Sequence, residues 1–235
     1  MKLSYTFIWS MTLFLISCTT NCANDNPNIE SIYVSNNQLY FKGEITESSV
    51  KHTFTAINNY KGIIQTMTVN SLGGDILPAM KLGNWIFDNN IQLIVNRFCA
   101  SSCANYFFTA AKSVHINKNS LVLWHEGATQ KNFLENAHTP KELEDINDKI
   151  KIEKQFFEKI GVKEEITVYG QLKDFSIMKN TPDCVAADAK GVLQGWTYSI
   201  EDLKKFGVDS ITSDNISPPV AVDGYLMGCL IKVDS

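Results

Sequence analysis

Three short apolar segments set the frame of this chain: "TMTVNS" (66–71), "IQLIVN" (91–96) and "SLVLWH" (120–125). Each has strand length, and between them lie stretches long enough to cross back over a sheet. Antiparallel neighbours can be joined by a tight turn, whereas parallel neighbours need a crossover of about a dozen residues or more. The first crossover breaks at "LGGD" and reads as a helix from Asp75, with Ile76, Met80, Leu82 and Ile86 near core spacing. The second reads as a helix over roughly Cys103 to Lys112, followed by another strand, "SVHI" (113–116). The order strand–helix–strand–helix–strand predicts an α/β domain with parallel pairings.

The flanking segments fit the same domain. "SIYVS" and "QLYFKGEI" alternate around "NN" and predict a hairpin over 31–45, and "SSVKHTFTAINNY" (48–60) places Val50, Phe54 and Ile57 on one helical face. Thr139-Pro140-Lys141-Glu142 supplies an N-cap, a first-turn proline and a capping-box glutamate for a helix to about Ile160. A shorter helix follows around 163–172. "SIEDLKKFG" (199–207) repeats the cap logic and stops at Gly207, and the last residues read as a hairpin or edge strand. With 235 residues, 44% of them hydrophobic, the chain suits one domain over 31–235. A net charge of −4 without a Lys/Arg cluster argues against a nucleic-acid partner.

The N-terminus predicts export. One basic residue, Lys2, precedes an apolar run from Phe7 to Ile16, too short for a membrane span and shaped like a secretory signal. It ends in Leu15-Ile16-Ser17-Cys18, which resembles a bacterial lipobox. Residues 1–17 are then a signal peptide, Cys18 carries lipid and anchors the protein to the membrane of the cell envelope, and 18–30 form a tether. Cleavage near residues 21–23, releasing a soluble protein, is the alternative. Export permits disulfides. Cys99 and Cys103 lie one helical turn apart, about 6 Å between Cα atoms, within bridging range. Cys184 and Cys229 form a second possible pair. No CxxC unit or His/Cys cluster predicts a metal.

The chemistry gathers at strand ends. Acyl transfer needs a nucleophile, a base and donors for the oxyanion. "VNSLGGD" ends the first strand in a Gly-Gly turn that can present N–H groups. "CASSCA" opens a helix after the second, where free amides favour developing negative charge. "NSLVLWHE" ends the third in His125. Strand ends in a parallel sheet converge on one edge, the usual place for a site. Arg97, the single arginine, is expected to pair with a carboxylate near this turn, with binding of a substrate carboxylate as the alternative.

In order and spacing these segments resemble the Clp protease proteolytic-subunit family of the ClpP/crotonase superfamily, and still more its exported Clp-protease-like members, many with cysteines flanking the serine motif. The likeness covers about 38–130 and returns at "WTYSIEDLKKFGVDSI" (196–211). It implies a ClpP/crotonase-like parallel sheet with flanking helices in a ββα spiral, Ser102 as nucleophile, His125 as general base, and the N–H groups of Gly74 and Cys103 as oxyanion donors. Ser101 falls where the family usually has alanine. The family's acid lies just before the segment matched by 196–211, where this chain reads "LQGWTYS" and has none, so Asp183 is the first choice, with Asp188, Asp174 or no acid as alternatives. The resemblance further implies a peptide or protein substrate, no cofactor and self-association through the helical second half. Two functional expectations stand side by side: an exported serine hydrolase, or a lipid-anchored binding protein whose site has decayed.

Overall fold

The computed structural model describes residues 30–130, 135–172, 184–185, 193–222 and 226–234. β1 (Ser31–Ser35) and β2 (Gln38–Lys42) form an antiparallel hairpin. Asn36 and Asn37 turn it, with φ of 51° and 63°, a region asparagine tolerates and a tight hairpin requires. α1 (Glu47–Asn59) starts in a capping box between Thr46 and Ser49 and returns the chain to β3 (Thr66–Ser71), parallel to β2. α2 (Ile76–Asp88) then leads to β4 (Gln92–Ala100), parallel to β3. Ala79, Met80, Leu82 and Ile86 of α2 are buried against the sheet.

β4 serves two neighbours in turn. Its first half, Gln92–Val95, pairs with β5 (Ser113–Ile116), and its second half, Phe98–Ala100, pairs with β6 (Leu121–Leu123). Between the halves the register against β3 slips, from Val69↔Val95 to Ser71↔Cys99. Arg97 stands in this bulge with φ 83°; its N–H donates to Ser120 Oγ at 2.7 Å and its guanidinium lies 5.5 Å from the Phe98 ring centroid. The bulge redirects the strand, which is what brings β6 beside the end of β4. With β8 (Ile211–Ser213) on β5, the sheet runs β1-β2-β3-β4-β5-β8, with β6 on β4. The protein is therefore mixed α/β, with a mostly parallel central sheet flanked by helices.

The segment after β4 is a π-helix, Cys103–Phe108, shorter than the expected 103–112 and buried along its whole length. In the second half, α3 (Pro140–Ile160) begins in the Thr139/Glu142 capping box and ends at Gly161 in the left-handed region. It packs through its C-terminal half: Glu153, Phe156 and Phe157 are buried, and Lys159 reaches Asn84 and Asp88 of α2 at 2.9 Å. A 3-10 helix (Glu164–Thr167), α4 (Tyr169–Leu172) and α5 (Ile200–Lys205) follow.

A second sheet departs from the sequence reading. β7 (Leu193–Tyr198), unforeseen, pairs in parallel with β10 (Leu226–Ile231), which pairs antiparallel with β9 (Ala221–Val222). The terminal segment thus forms the expected hairpin, β9 with β10, and β10 also pairs with β7, which makes it an inner strand and not an edge strand. Tertiary pairing makes β7: Trp196 and Trp124 exchange two backbone hydrogen bonds at 2.8 Å. Trp196 Nε1 donates to Tyr198 Oη at 2.7 Å, and that hydroxyl donates to the Ile166 carbonyl at 2.8 Å. Cys184 is disulfide-bonded to Cys229 of β10, Cα atoms 5.3 Å apart. Among the described residues no helix is long and apolar enough to cross a membrane.

Candidate active site

β3, β4 and β6 are neighbours, and the segments leaving their C-terminal ends carry Gly73-Gly74, Ser101-Ser102 and His125. At the first end both glycines have positive φ, 99° and 143°. A Cβ on Gly73 would stand 2.6 Å from the Cβ of Ser101 and 2.7 Å from the Ala100 carbonyl oxygen, so the two turns pack backbone to backbone. A Cβ on Gly74 would lie 2.1 Å from the Ile45 carbonyl oxygen. Ile45 bonds to both neighbours of Gly74: its N–H to the Gly73 carbonyl at 2.8 Å and its carbonyl to the Asp75 N–H at 2.7 Å. That parallel-bridge pattern turns the N–H and C=O of Gly74 itself away from Ile45.

At the second end the chain passes from strand to helix within two residues. Ser101 takes a left-handed conformation, φ 55°, with its N–H on the Leu123 carbonyl and its own carbonyl accepting from Asn105 N–H, both at 2.9 Å. Ser102 follows at φ −56° as the N-cap of the π-helix, 2% exposed. Its Oγ donates to the Gly74 carbonyl at 2.6 Å. Cys99 and Cys103 are disulfide-bonded across the two serines, Cα atoms 5.1 Å apart, so Cys103 brings a backbone N–H to this place and no free thiol. Two ends of the sheet thus meet through a hydroxyl–carbonyl bond.

His125 follows Trp124 at the third end. Gln171 of α4 donates to its backbone carbonyl at 2.8 Å, and its side chain is about one-third exposed. Its Nδ1 lies 3.5 Å from Oε1 of Glu126. Ser102 and His125 share no hydrogen bond. Glu126, by contrast, lines the same cleft as Ser102, a space of about 410 Å3 also bounded by Gly74, Leu77, Asn105 and Lys149. Asn105 is 1% exposed; its Nδ2 donates to the Glu126 carbonyl at 2.6 Å, and its Oδ1 has no hydrogen-bond partner.

Ser102, Gly74 and Cys103 are thus brought together, with His125 on the adjoining strand end. Asp183, Asp188 and Asp174, the expected acids, lie outside the described residues, as does Cys18. Three cleft residues escaped the sequence reading. Glu126 directly follows the expected base, and Asn105 sits about one helical turn after Ser102, so adjacency pointed to both. Nothing in the sequence placed Lys149 here, because that contact depends on how α3 packs. A more apolar cavity of about 260 Å3, walled by Trp124, Tyr198 and Leu203, contains none of the expected catalytic side chains. Among the described residues no three His, Cys, Asp or Glu side chains cluster as a metal site would need. No family model matches the chain, and no curated protein matches it in sequence.

Proposed function

We propose that this chain is an exported serine hydrolase acting on peptide or protein, with a ClpP/crotonase-type arrangement of its strands. Carrying this reading is the meeting of Ser102 Oγ with the Gly74 backbone, 2.6 Å apart, at the mouth of a cleft on the C-terminal edge of the parallel strands. A side-chain rotation releases the Ser102 hydroxyl from the Gly74 carbonyl and turns it toward His125. The imidazole takes the proton as Oγ attacks the scissile carbonyl, and the N–H groups of Gly74 and Cys103 receive the oxyanion. His125 then returns the proton to the leaving amine, and water repeats the sequence on the acyl-enzyme. Glu126, 3.5 Å from Nδ1, supplies the orienting carboxylate, with Asp183 as the other choice. The same reading includes export with a lipid on Cys18, and self-association of the chain.

A fluorophosphonate probe tests the assignment directly. It labels the wild type, and labelling disappears in Ser102→Ala and falls by about three orders of magnitude or more in His125→Ala. Equal labelling of wild type and Ser102→Ala removes Ser102 from the reaction. A second reading, a non-catalytic binding protein on the same scaffold, is favoured by the bond that holds the Ser102 hydroxyl on a carbonyl rather than on an imidazole. Folded wild type that never reacts with the probe selects that reading.

A further inference from the structure

Glu153 is a carboxyl with 0% exposure in the C-terminal half of α3, a position the hydrolase reading does not use. Its two oxygens go to the two segments that carry that site. Tyr106 of the π-helix, four residues after Ser102, donates its hydroxyl to Oε1 at 2.6 Å. The N–H of Ala128, three residues after His125, donates to Oε2 at 2.9 Å. Asn105, next to Tyr106 on the π-helix, adds a direct tie between the two segments, with Nδ2 on the Glu126 carbonyl. One buried group on a third element therefore spans the Ser102 helix and the loop after His125.

We infer that Glu153 is the positioning residue of this site, holding the Ser102 helix and the His125–Glu126 loop in register when ionised and loosening them when protonated. The inference rests on the hydrolase reading for its effect on turnover, and on geometry alone for its effect on the loop. An ionised carboxylate is acceptor-only and strengthens both bonds; a protonated one offers weaker acceptors and a hydrogen that needs an acceptor of its own. Burial pushes the group up to about 7, with Glu164 adding to the rise, against the hydrogen bonding of Tyr106, Ala128 and Thr129, which pulls it down. Among the described residues, the charged or titratable groups that face it are Tyr106 and Glu164. Tyr106 is itself held far above the ordinary phenol range by burial and by Glu153. Glu164, on the 3-10 helix, is raised by burial and by Glu165 and Glu158, and lowered by Lys154. The carboxyl therefore changes state near neutral pH, where a hydrolase of this kind would work.

Glu153→Gln keeps the side-chain shape and removes the titration. The rate of fluorophosphonate labelling of the full chain is compared between wild type and Glu153→Gln from about pH 6 to about pH 8. The expected ratio rises from near one at the acid end to about tenfold at the alkaline end, since sub-ångström misplacement of reacting groups costs rates of that order. A ratio constant across the range marks a merely structural side chain and overturns the inference. Tyr106→Phe keeps the carboxyl but removes a donor that lowers its pKa, so the midpoint moves to higher pH; an unmoved midpoint also overturns it. Amide exchange of residues 126–130, corrected for intrinsic rates, reads the same midpoint without any turnover. Exchange that follows the carboxyl in a protein that never labels leaves the positioning role standing and removes the hydrolase reading instead.

Discussion

At Gly73 the chain has no space for a side chain. Its φ of 99° is costly for any L residue, and a Cβ would press on the Ser101 Cβ at 2.6 Å and the Ala100 carbonyl at 2.7 Å. Gly73→Ala should lower stability by about 2–3 kcal/mol in a denaturant titration and displace the Ser101–Ser102 turn. Ser101→Gly is the matched control, since it keeps φ 55° accessible and should cost under about 1 kcal/mol. Equal effects of the two would mean that the turns are not packed as tightly as their backbones indicate. At this scale the sequence was informative wherever chemistry follows from chain position. The Gly-Gly turn, the serines and His125 were placed at strand ends because the apolar runs stop there. Glu126 was not read as a carboxylate for His125, because that depends on two side chains turning toward each other and no periodicity records it.

Between elements, the disulfides act over very different lengths of chain. Cys99–Cys103 closes a separation of 4 residues and staples a strand end to a helix start, whereas Cys184–Cys229 closes one of 45. Loop-closure entropy gives about 2 kcal/mol for the first and about 4 kcal/mol for the second. Replacing Cys184 and Cys229 by serine should therefore lower unfolding stability about twice as much as the same change at Cys99 and Cys103. The order reverses for Ser102 reactivity, which should respond chiefly to the short bridge that clamps its turn; a reversed stability order would show that strain outweighs chain entropy here. Both bridges fit maturation outside a reducing compartment. The i, i+4 spacing made the short pairing legible, as alternation did for the hairpin, a one-sided apolar face for α1 and a capping box for α3. β7 was missed because what makes "LQGWTY" a strand is its exchange of backbone bonds with Trp124 and its alignment on β10, both remote in sequence.

For the whole molecule, the buried carboxyl of Glu153 sets a pH dependence whose sign follows from its shift. The folded pKa is about 7 against an ordinary value of 4.5, a difference of about 2.5. The folded state therefore prefers the protonated acid, and the resulting stability is complete below about pH 4.5 and is lost as the pH climbs through about 7. At 1.36 kcal/mol per unit the full loss is about 3 kcal/mol. Denaturant midpoints measured from about pH 4.5 to about pH 8 should fall in the wild type, and this component should vanish in Glu153→Gln. Wild type and Glu153→Gln curves that stay parallel across neutrality would show that Glu153 is not buried as a proton-binding group. A decline confined to the wild type would mean that ionising Glu153 costs the fold as a whole, so that any ordering of the cleft by the carboxylate comes under conditions in which the protein is less stable.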